Sequence, residues 1–184
     1  MSEHISALTR WALGWRKDVG ALKAALSAEA ASAELRRYAA AGLNYVVSRM
    51  DLVPDWEPAV GLFDDLMVVR LCAARAMGAS GAGAPPAGLD GETAAELGRL
   101  AGDADTIRAF LGDDLFGKLR DYCDRQTTEQ VRGRAPDQLL SDAKARGQLF
   151  AEVDGAVARV GAVSVPDEAQ AEVRLKAYLG HKLK

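Results

Sequence analysis

Residues 43–69 read LNYVVSRMDLVPDWEPAVGLFDDLMVV, and this stretch decides the fold. Two apolar segments with helical spacing flank a turn that carries two prolines and two aspartates. Pro54 ends the first helix, because proline lacks the amide hydrogen and disfavours helical geometry in the residue before it. Asp64 and Asp65 fall in the first turn of the next helix, where carboxylates complement exposed amides. The stretch therefore predicts a helical hairpin with an acidic, proline-stiffened elbow.

The first helix of this hairpin is predicted to begin after Ser32, whose hydroxyl is a suitable N-cap. From Tyr38 to Val47 the helix is apolar nearly all round, which is typical of a helix at the centre of a bundle. Asn44 is the exception. We expect its amide to form hydrogen bonds inside the core, as buried amides usually do.

An amphipathic helix is predicted upstream of the hairpin. Its apolar residues recur at steps of three and four and share one face: Ile5, Leu8, Ala12, Trp15, Val19, Leu22 and Leu26. Four basic residues lie off this face: Arg10, Arg16, Lys17 and Lys23. A basic helix of this kind can lie on an anionic membrane. We expect the stripe to pack on the core instead, since most such stripes in soluble domains are buried.

The rest of the chain reads as a linker followed by further helices. We predict an N-terminal helical region at 1–78, a Gly/Ala/Pro linker at 79–90 and a C-terminal helical region at 91–184. Pro136 is predicted to open one long helix and Pro166 the last one. Apolar and polar residues do not alternate along the chain as they would in a β-strand. The predicted fold is therefore an all-α helical bundle built on the central hairpin.

Composition narrows the class of function. The 184 residues carry a net charge of −3, which provides no overall basic field for a nucleic-acid partner. Two cysteines are too few for a disulfide framework, and we expect a reduced, cytoplasmic setting. Charged residues interrupt the apolar segments before they reach the length of a membrane span. Any membrane contact is therefore expected to be peripheral.

Four aspartates are the candidate metal ligands: Asp51, Asp55, Asp64 and Asp65. If they converge at the elbow, their oxygens would suit Mg²⁺, Mn²⁺ or Ca²⁺. The alternative, which we favour, is that each aspartate caps backbone amides, the common use of this residue in turns and helix starts. We predict no catalytic residues, because the two histidines lie near opposite termini and the two cysteines fall on apolar helix faces.

The elbow also carries a family resemblance. Residues from about 35 to 76 resemble the YkvA-like family, a small bacterial domain of unknown function whose core reads roughly Ser-Pro-Ile-Asp-Leu-Ile-Pro-Asp-Phe-Ile-Pro, followed by Gly and an Asp-Asp pair. The matching residues are Ser48, Asp51, Leu52, Pro54, Asp55, Pro58, Gly61, Asp64 and Asp65. Arg49 replaces a proline and Glu57 an apolar residue, so both departures add charge. Family members are often predicted to contact membranes through this hairpin, which the added charges disfavour here. The resemblance implies a helical fold and no known reaction, cofactor or substrate.

These observations favour a non-catalytic cytoplasmic interaction or scaffold module with an as yet unknown protein partner and no cofactor. A homodimer through the Ala-rich helix faces is one form that such a module could take. The first alternative is a divalent-metal-binding protein or metal-dependent enzyme that uses the four aspartates. The second is a peripheral membrane protein that binds through the first helix.

Overall fold

A computed structural model describes residues 2–48, 50–54, 56–57, 60–78 and 86–184. The helices are α1 (Glu3–Ser27), α2 (Ala33–Val46), α3 (Phe63–Gly78), α4 (Gly91–Gly102), α5 (Ala104–Leu111), α6 (Asp113–Gln126), α7 (Pro136–Ser141), α8 (Ala143–Arg159) and α9 (Glu168–Lys182). An isolated bridge between Val131 and Arg134 is the one strand-like pairing in the described ranges. The predicted all-α fold is confirmed.

The hairpin of α2 and α3 forms the centre of the bundle. Every residue at 38–45 and at 63–73 is buried, so both helices are covered on all sides. The Ser32 hydroxyl accepts a hydrogen bond from the Leu35 amide at 3.2 Å, which confirms the predicted N-cap. At Gly42 an added Cβ would lie 2.6 Å from a methyl of Leu22 on α1. Glycine therefore lets α1 and α2 approach closely.

Helix α1 lies against this hairpin through the predicted apolar stripe. Ala12 is half-buried, and the other members are buried: Ile5, Leu8, Trp15, Val19, Leu22 and Leu26. The stripe packs on the core as expected and is not available to a membrane surface. Within the described residues, no helix combines the length and the apolar character needed to span a membrane.

The C-terminal helices pack on the N-terminal ones. Helix α4 contacts α1 and α3, α6 contacts α2 and α3, and α7 and α8 contact α2. Residues 79–85 of the predicted linker lie outside the described residues, but Pro86 is buried and Gly88 lies against the turn between α1 and α2. With φ of +86°, Gly88 is so close that an added Cβ would lie 2.2 Å from the Ala30 carbonyl oxygen.

A buried ion network joins the two halves of the chain. The Arg70 side chain on α3 is 1% exposed and binds Asp18 of α1 and Asp103 at the start of α5, each at 2.8 Å. Arg99 of α4 also pairs with Asp18. The ring of Trp11 covers the Arg70 guanidinium at 4.2 Å. Each carboxylate of the network is thus matched by an arginine, as a buried charge requires.

The prediction of one long helix from Pro136 is wrong. The helix ends at Ser141, Asp142 has an extended backbone, and α8 begins at Ala143. The carboxylate of Asp142 accepts hydrogen bonds from the amides of Lys144 and Ala145 at 2.9 and 3.0 Å. The chain breaks here because this aspartate caps a new helix better than it continues the old one.

Candidate functional site

A tyrosine on α2 and an aspartate on α3 bind the backbone of the elbow, residues 47–62. The Tyr45 hydroxyl donates to Asp64 Oδ2 at 2.5 Å and accepts from the Leu52 amide at 2.8 Å. The same Asp64 oxygen accepts from the Val53 amide at 3.0 Å. Side chains from both helices of the hairpin therefore bind the backbone of the turn between them. This is the turn-holding role that the sequence favours for an aspartate here.

Burial sets the electrostatics of this pair. It raises the pKa of Asp64 to about 6, and the hydrogen bonds from Tyr45 and Val53 oppose that increase. Burial, followed by the charge of Asp64, raises the pKa of Tyr45 well above its usual value. The second Asp64 oxygen, Oδ1, is buried without a hydrogen-bond partner among the described residues. Asp64 is therefore a buried carboxylate that takes up a proton close to neutral pH.

The predicted metal ligands lie in different surroundings. Asp51 is half-buried, and its charge contributes, after burial, to raising the pKa of Tyr122. Asp65 lines a cleft beside the elbow. Asp55 lies outside the described residues. Among the residues that the structure describes, no group of three or more His, Cys, Asp or Glu side chains could hold a metal ion. The metal site stays a prediction.

The Asn44 amide does not find the expected hydrogen bonds among the described protein groups. Both its amide nitrogen and its amide oxygen are buried, and neither has a hydrogen-bond partner in the described part of the chain. Asn44 lies on α2 where the helix is buried on all sides. The general tendency of buried amides to find partners depends on polar groups from other elements, which the local sequence does not specify.

A cleft of about 810 Å³ opens where the elbow meets the end of α8 and the segment that follows it. We call it the elbow cleft. Its lining residues are Trp15, Val46, Val47, Ser48, Trp56, Glu57, Gly61, Leu62, Asp65, Arg132, Ala151, Glu152, Gly155, Ala156, Arg159, Val160, Gly161, Ala162, Val163 and Ser164. The cleft combines an apolar base from α1 and α2 with charged groups on its walls, as ligand and partner sites commonly do.

Glu57 fixes the elbow wall of the cleft. This glutamate is buried, and it accepts hydrogen bonds from Arg174 at 2.8 Å and from the Tyr178 hydroxyl at 3.1 Å, both on α9. The negative charge that Glu57 adds to the elbow is therefore neutralised by Arg174, which lies 117 positions later in the chain. Sequence patterns could not identify this partner, because nothing local links the two positions.

The opposite wall carries charges of both signs. Glu152 on α8 accepts two hydrogen bonds from Arg134, each at 2.8 Å, and one from Arg132 at 3.1 Å. Arg159 is exposed at the end of α8, and no ion pair of this arginine is recorded with another described residue. Arg134 does not line the cleft, so the charged lining residues of this wall are Arg132, Glu152 and Arg159. With Glu57 and Asp65 on the elbow side, two arginines and three carboxylates line the cleft.

An exposed tryptophan stands at the cleft. Trp56 is 76% exposed although its side chain is large and apolar, and it is one of the lining residues. Met50, also in the elbow, is 84% exposed. The aspartate pattern of the elbow points to neither residue. An aromatic residue between two prolines in a polar turn is the signal that could have identified Trp56.

Comparison with known proteins identifies a family that resembles the hairpin. Residues 36–71 match the model of a family described as "Protein of unknown function (DUF1232)". No curated protein and no solved structure matches the chain. The matched segment, about a fifth of the chain, comprises most of α2, the elbow and the first half of α3. Together with the buried hairpin described above, the match confirms the YkvA-like resemblance of this segment, a small bacterial domain of unknown function.

Proposed function

We propose that this protein is a non-catalytic interaction module of the cytoplasm, and that its binding surface is the elbow cleft. The observation that carries the proposal is Trp56, which is 76% exposed at a cleft of about 810 Å³. Tryptophan is among the residues most enriched in binding hot spots, because a well-packed indole contributes a large area at small entropic cost. A partner that covers Trp56 would remove this apolar surface from water.

The shape of the cleft is fixed before any partner binds. Tyr45 and Asp64 accept hydrogen bonds from the elbow backbone, and Arg174 on α9 donates one to Glu57. Glu152 on the other wall is held by two arginines. A surface that is already ordered loses little conformational entropy on binding. The ion pairs also occupy Glu57 and Glu152, which supports a role for these carboxylates in shaping the cleft.

Photo-crosslinking in cells tests this proposal. A photoreactive phenylalanine analogue at position 56 should give a discrete adduct, to be identified by mass spectrometry. The control carries the same analogue at position 13, because Leu13 on α1 is 86% exposed and does not line the cleft. An adduct with twice the mass of the chain would identify the partner as a second copy.

Binding of the purified partner then gives the quantitative test. Trp56→Ala should weaken binding about tenfold or more, equivalent to at least ~1.4 kcal/mol, and Leu13→Ala should leave the affinity within about twofold. Equal crosslinking at positions 56 and 13, or full affinity in the Trp56 variant, would contradict the proposal.

A further inference from the structure

The two cysteines of the chain meet in the core. Cys72 on α3 and Cys123 on α6 lie far apart in the sequence, yet both are fully buried and a side-chain hydrogen bond links their thiols. At Gly42 on α2, an added Cβ would lie 3.3 Å from the Cβ of Cys72 and 3.7 Å from its sulfur, so a glycine makes room for this side chain. The fold therefore brings both thiols of the chain to one point.

Polar contacts beside the two cysteines fix α3 against α6. Arg75, three residues after Cys72, donates two hydrogen bonds to the carboxylate of Asp124 at 2.7 and 3.0 Å. Asp124 directly follows Cys123 in the sequence, and it also accepts a hydrogen bond from the Tyr38 hydroxyl on α2 at 2.9 Å. The contact between the thiols is thus supported by ordered neighbours on three helices.

Two thiols in contact are the reduced form of a disulfide. Hydrogen peroxide, a small neutral oxidant, can reach a buried pair during local opening of the fold. One thiolate attacks a peroxide oxygen, the O–O bond breaks, and a sulfenic acid and water form. The second thiol then attacks the sulfenic sulfur and displaces its hydroxyl group as a second water. In total, two thiols are oxidised to one disulfide, and one peroxide is reduced to two waters.

The surroundings of the pair make this oxidation slow. The hydrogen bond with Cys72, together with burial, raises the pKa of Cys123 well above its usual value. The Cys123 thiol therefore stays protonated at neutral pH, and the thiolate is the form that reacts. Such a pair is protected from a brief exposure to an oxidant and responds to a sustained one.

A disulfide at this point would close a ring that spans residues 72–123 and contains α4 and α5. A cross-link between distant positions reduces the conformational freedom of the unfolded chain and thereby stabilises the fold. The bond would also fasten α6 to the hairpin beside Tyr122, whose ring packs edge-on against Tyr45 with the centroids 5.9 Å apart.

We propose that Cys72 and Cys123 form a reversible disulfide that fastens α6 to the hairpin under sustained oxidation. This modification goes beyond the interaction role proposed above, because it acts on the stability of the fold.

Peptide mapping of the full chain tests the proposal. The folded protein is incubated with hydrogen peroxide or kept reduced, its remaining thiols are blocked in denaturant, and it is digested with trypsin without a reductant. Cleavage after Arg70, Arg75, Arg120 and Arg125 leaves the two cysteines in the peptides LCAAR and DYCDR. We expect the oxidised sample to contain these peptides joined, in a chain of monomeric mass that has lost two hydrogen atoms. Dithiothreitol should separate them again.

Thermal unfolding gives the second measurement. The oxidised protein should melt about 5 °C or more above the reduced protein. In Cys72→Ala and Cys123→Ala, peroxide should leave the melting temperature unchanged. Each variant is compared with itself before and after oxidation, so a loss of packing at the substituted position does not obscure the result.

Several results would overturn the proposal. They are separate LCAAR and DYCDR peptides after oxidation, a link found only in chains of doubled mass, and a link that forms without any rise in melting temperature. A similar rise in the two alanine variants would also overturn it, because the stabilisation would then have another source.

Discussion

The α2–α3 hairpin and the α8–α9 arm bury their residues in different ways. In the hairpin, residues 38–45 and 63–73 are buried without exception. Helices α8 and α9 bury about one residue in four: Ala145, Leu149, Val153 and Val157 in α8, and Ala171, Leu175 and Leu179 in α9. The hairpin is thus fixed by packing on all sides, whereas the arm presents most of its surface to solvent. The elbow cleft lies where the buried hairpin meets the exposed arm, so its base is buried and its outer wall faces solvent.

Among the changes proposed here, removal of the buried arginine of the hairpin should have the largest effect on stability. Arg70→Met keeps much of the side-chain volume but leaves Asp18, which is fully buried, with only the partly exposed Arg99 as its partner. We expect a loss of about 3–5 kcal/mol in the free energy of unfolding, measured by urea denaturation. The matched variant Arg99→Met, at a side chain 43% exposed, should cost about 1 kcal/mol or less. Equal losses would show that the network is not anchored in the hairpin.

Docking of the linker end on the turn between α1 and α2 can be tested with two glycines. Gly88 and Gly133 both have positive φ, but an added Cβ meets the Ala30 backbone at Gly88 and open space at Gly133. Gly88→Ala should therefore destabilise the fold by about 3 kcal/mol, from backbone strain and steric overlap together. Gly133→Ala should cost about 1 kcal/mol from strain alone. Similar melting temperatures for the two variants would contradict the close packing at Ala30.

The buried carboxylate of the elbow should give the hairpin a distinctive pH dependence. The pKa of Asp64 is about 6 in the folded chain, against about 3.9 for an unfolded aspartate. As pH falls below 6, the folded state takes up this proton first, so the contribution of Asp64 to stability rises until about pH 4. It is lost again as pH rises through 6.

Asp64→Asn should remove this contribution. The difference in unfolding free energy between the wild type and the variant should change by about 1–3 kcal/mol between pH 8 and pH 5, in favour of the wild type at the lower pH. The difference is the quantity to measure, because other carboxylates, such as Glu152, have a lowered pKa and act in the opposite direction. A pH-independent difference would count against the raised pKa.

The contrast between hairpin and arm also explains what the sequence could predict. The continuous apolar pattern of α2 and the Ser32 cap are local signals, and both identified the hairpin correctly. The pairing of Glu57 with Arg174 spans 117 positions, and no local pattern encodes it. The elbow cleft is assembled from α1, the elbow, α8 and the segment after it, so its existence depends on packing. The break at Asp142 was missed because apolar spacing alone continues across it.

A smaller effect is expected at the unsatisfied amide in the hairpin. Asn44→Leu replaces two buried polar atoms that lack recorded partners with an apolar group of similar volume. Since an unsatisfied buried group is costly, the variant should be as stable as the wild type or more stable by up to about 1 kcal/mol. Thermal unfolding measures the change. A clear loss of stability would indicate that Asn44 has a hydrogen-bond partner, for example a bound water.

The smallest expected effect concerns the metal hypothesis for Asp51, Asp55, Asp64 and Asp65. Asp64 already uses one oxygen to hold the backbone of Val53 and the hydroxyl of Tyr45. If turn-holding is the role of these aspartates, millimolar Mg²⁺, Mn²⁺ or Ca²⁺ should leave the melting temperature unchanged, and calorimetric titration should show no heat.

A stabilisation that saturates with metal concentration, and that disappears in Asp64→Asn and Asp55→Asn, would establish the metal site instead. Asp114→Asn is the control, because this carboxylate lies far along the chain on α6, where it pairs with Lys118 at 2.9 Å. Saturable binding that needs the elbow aspartates but not Asp114 would show that the elbow aspartates bind a metal ion. If no saturable binding is found, the role of these aspartates is to hold the backbone of the turn.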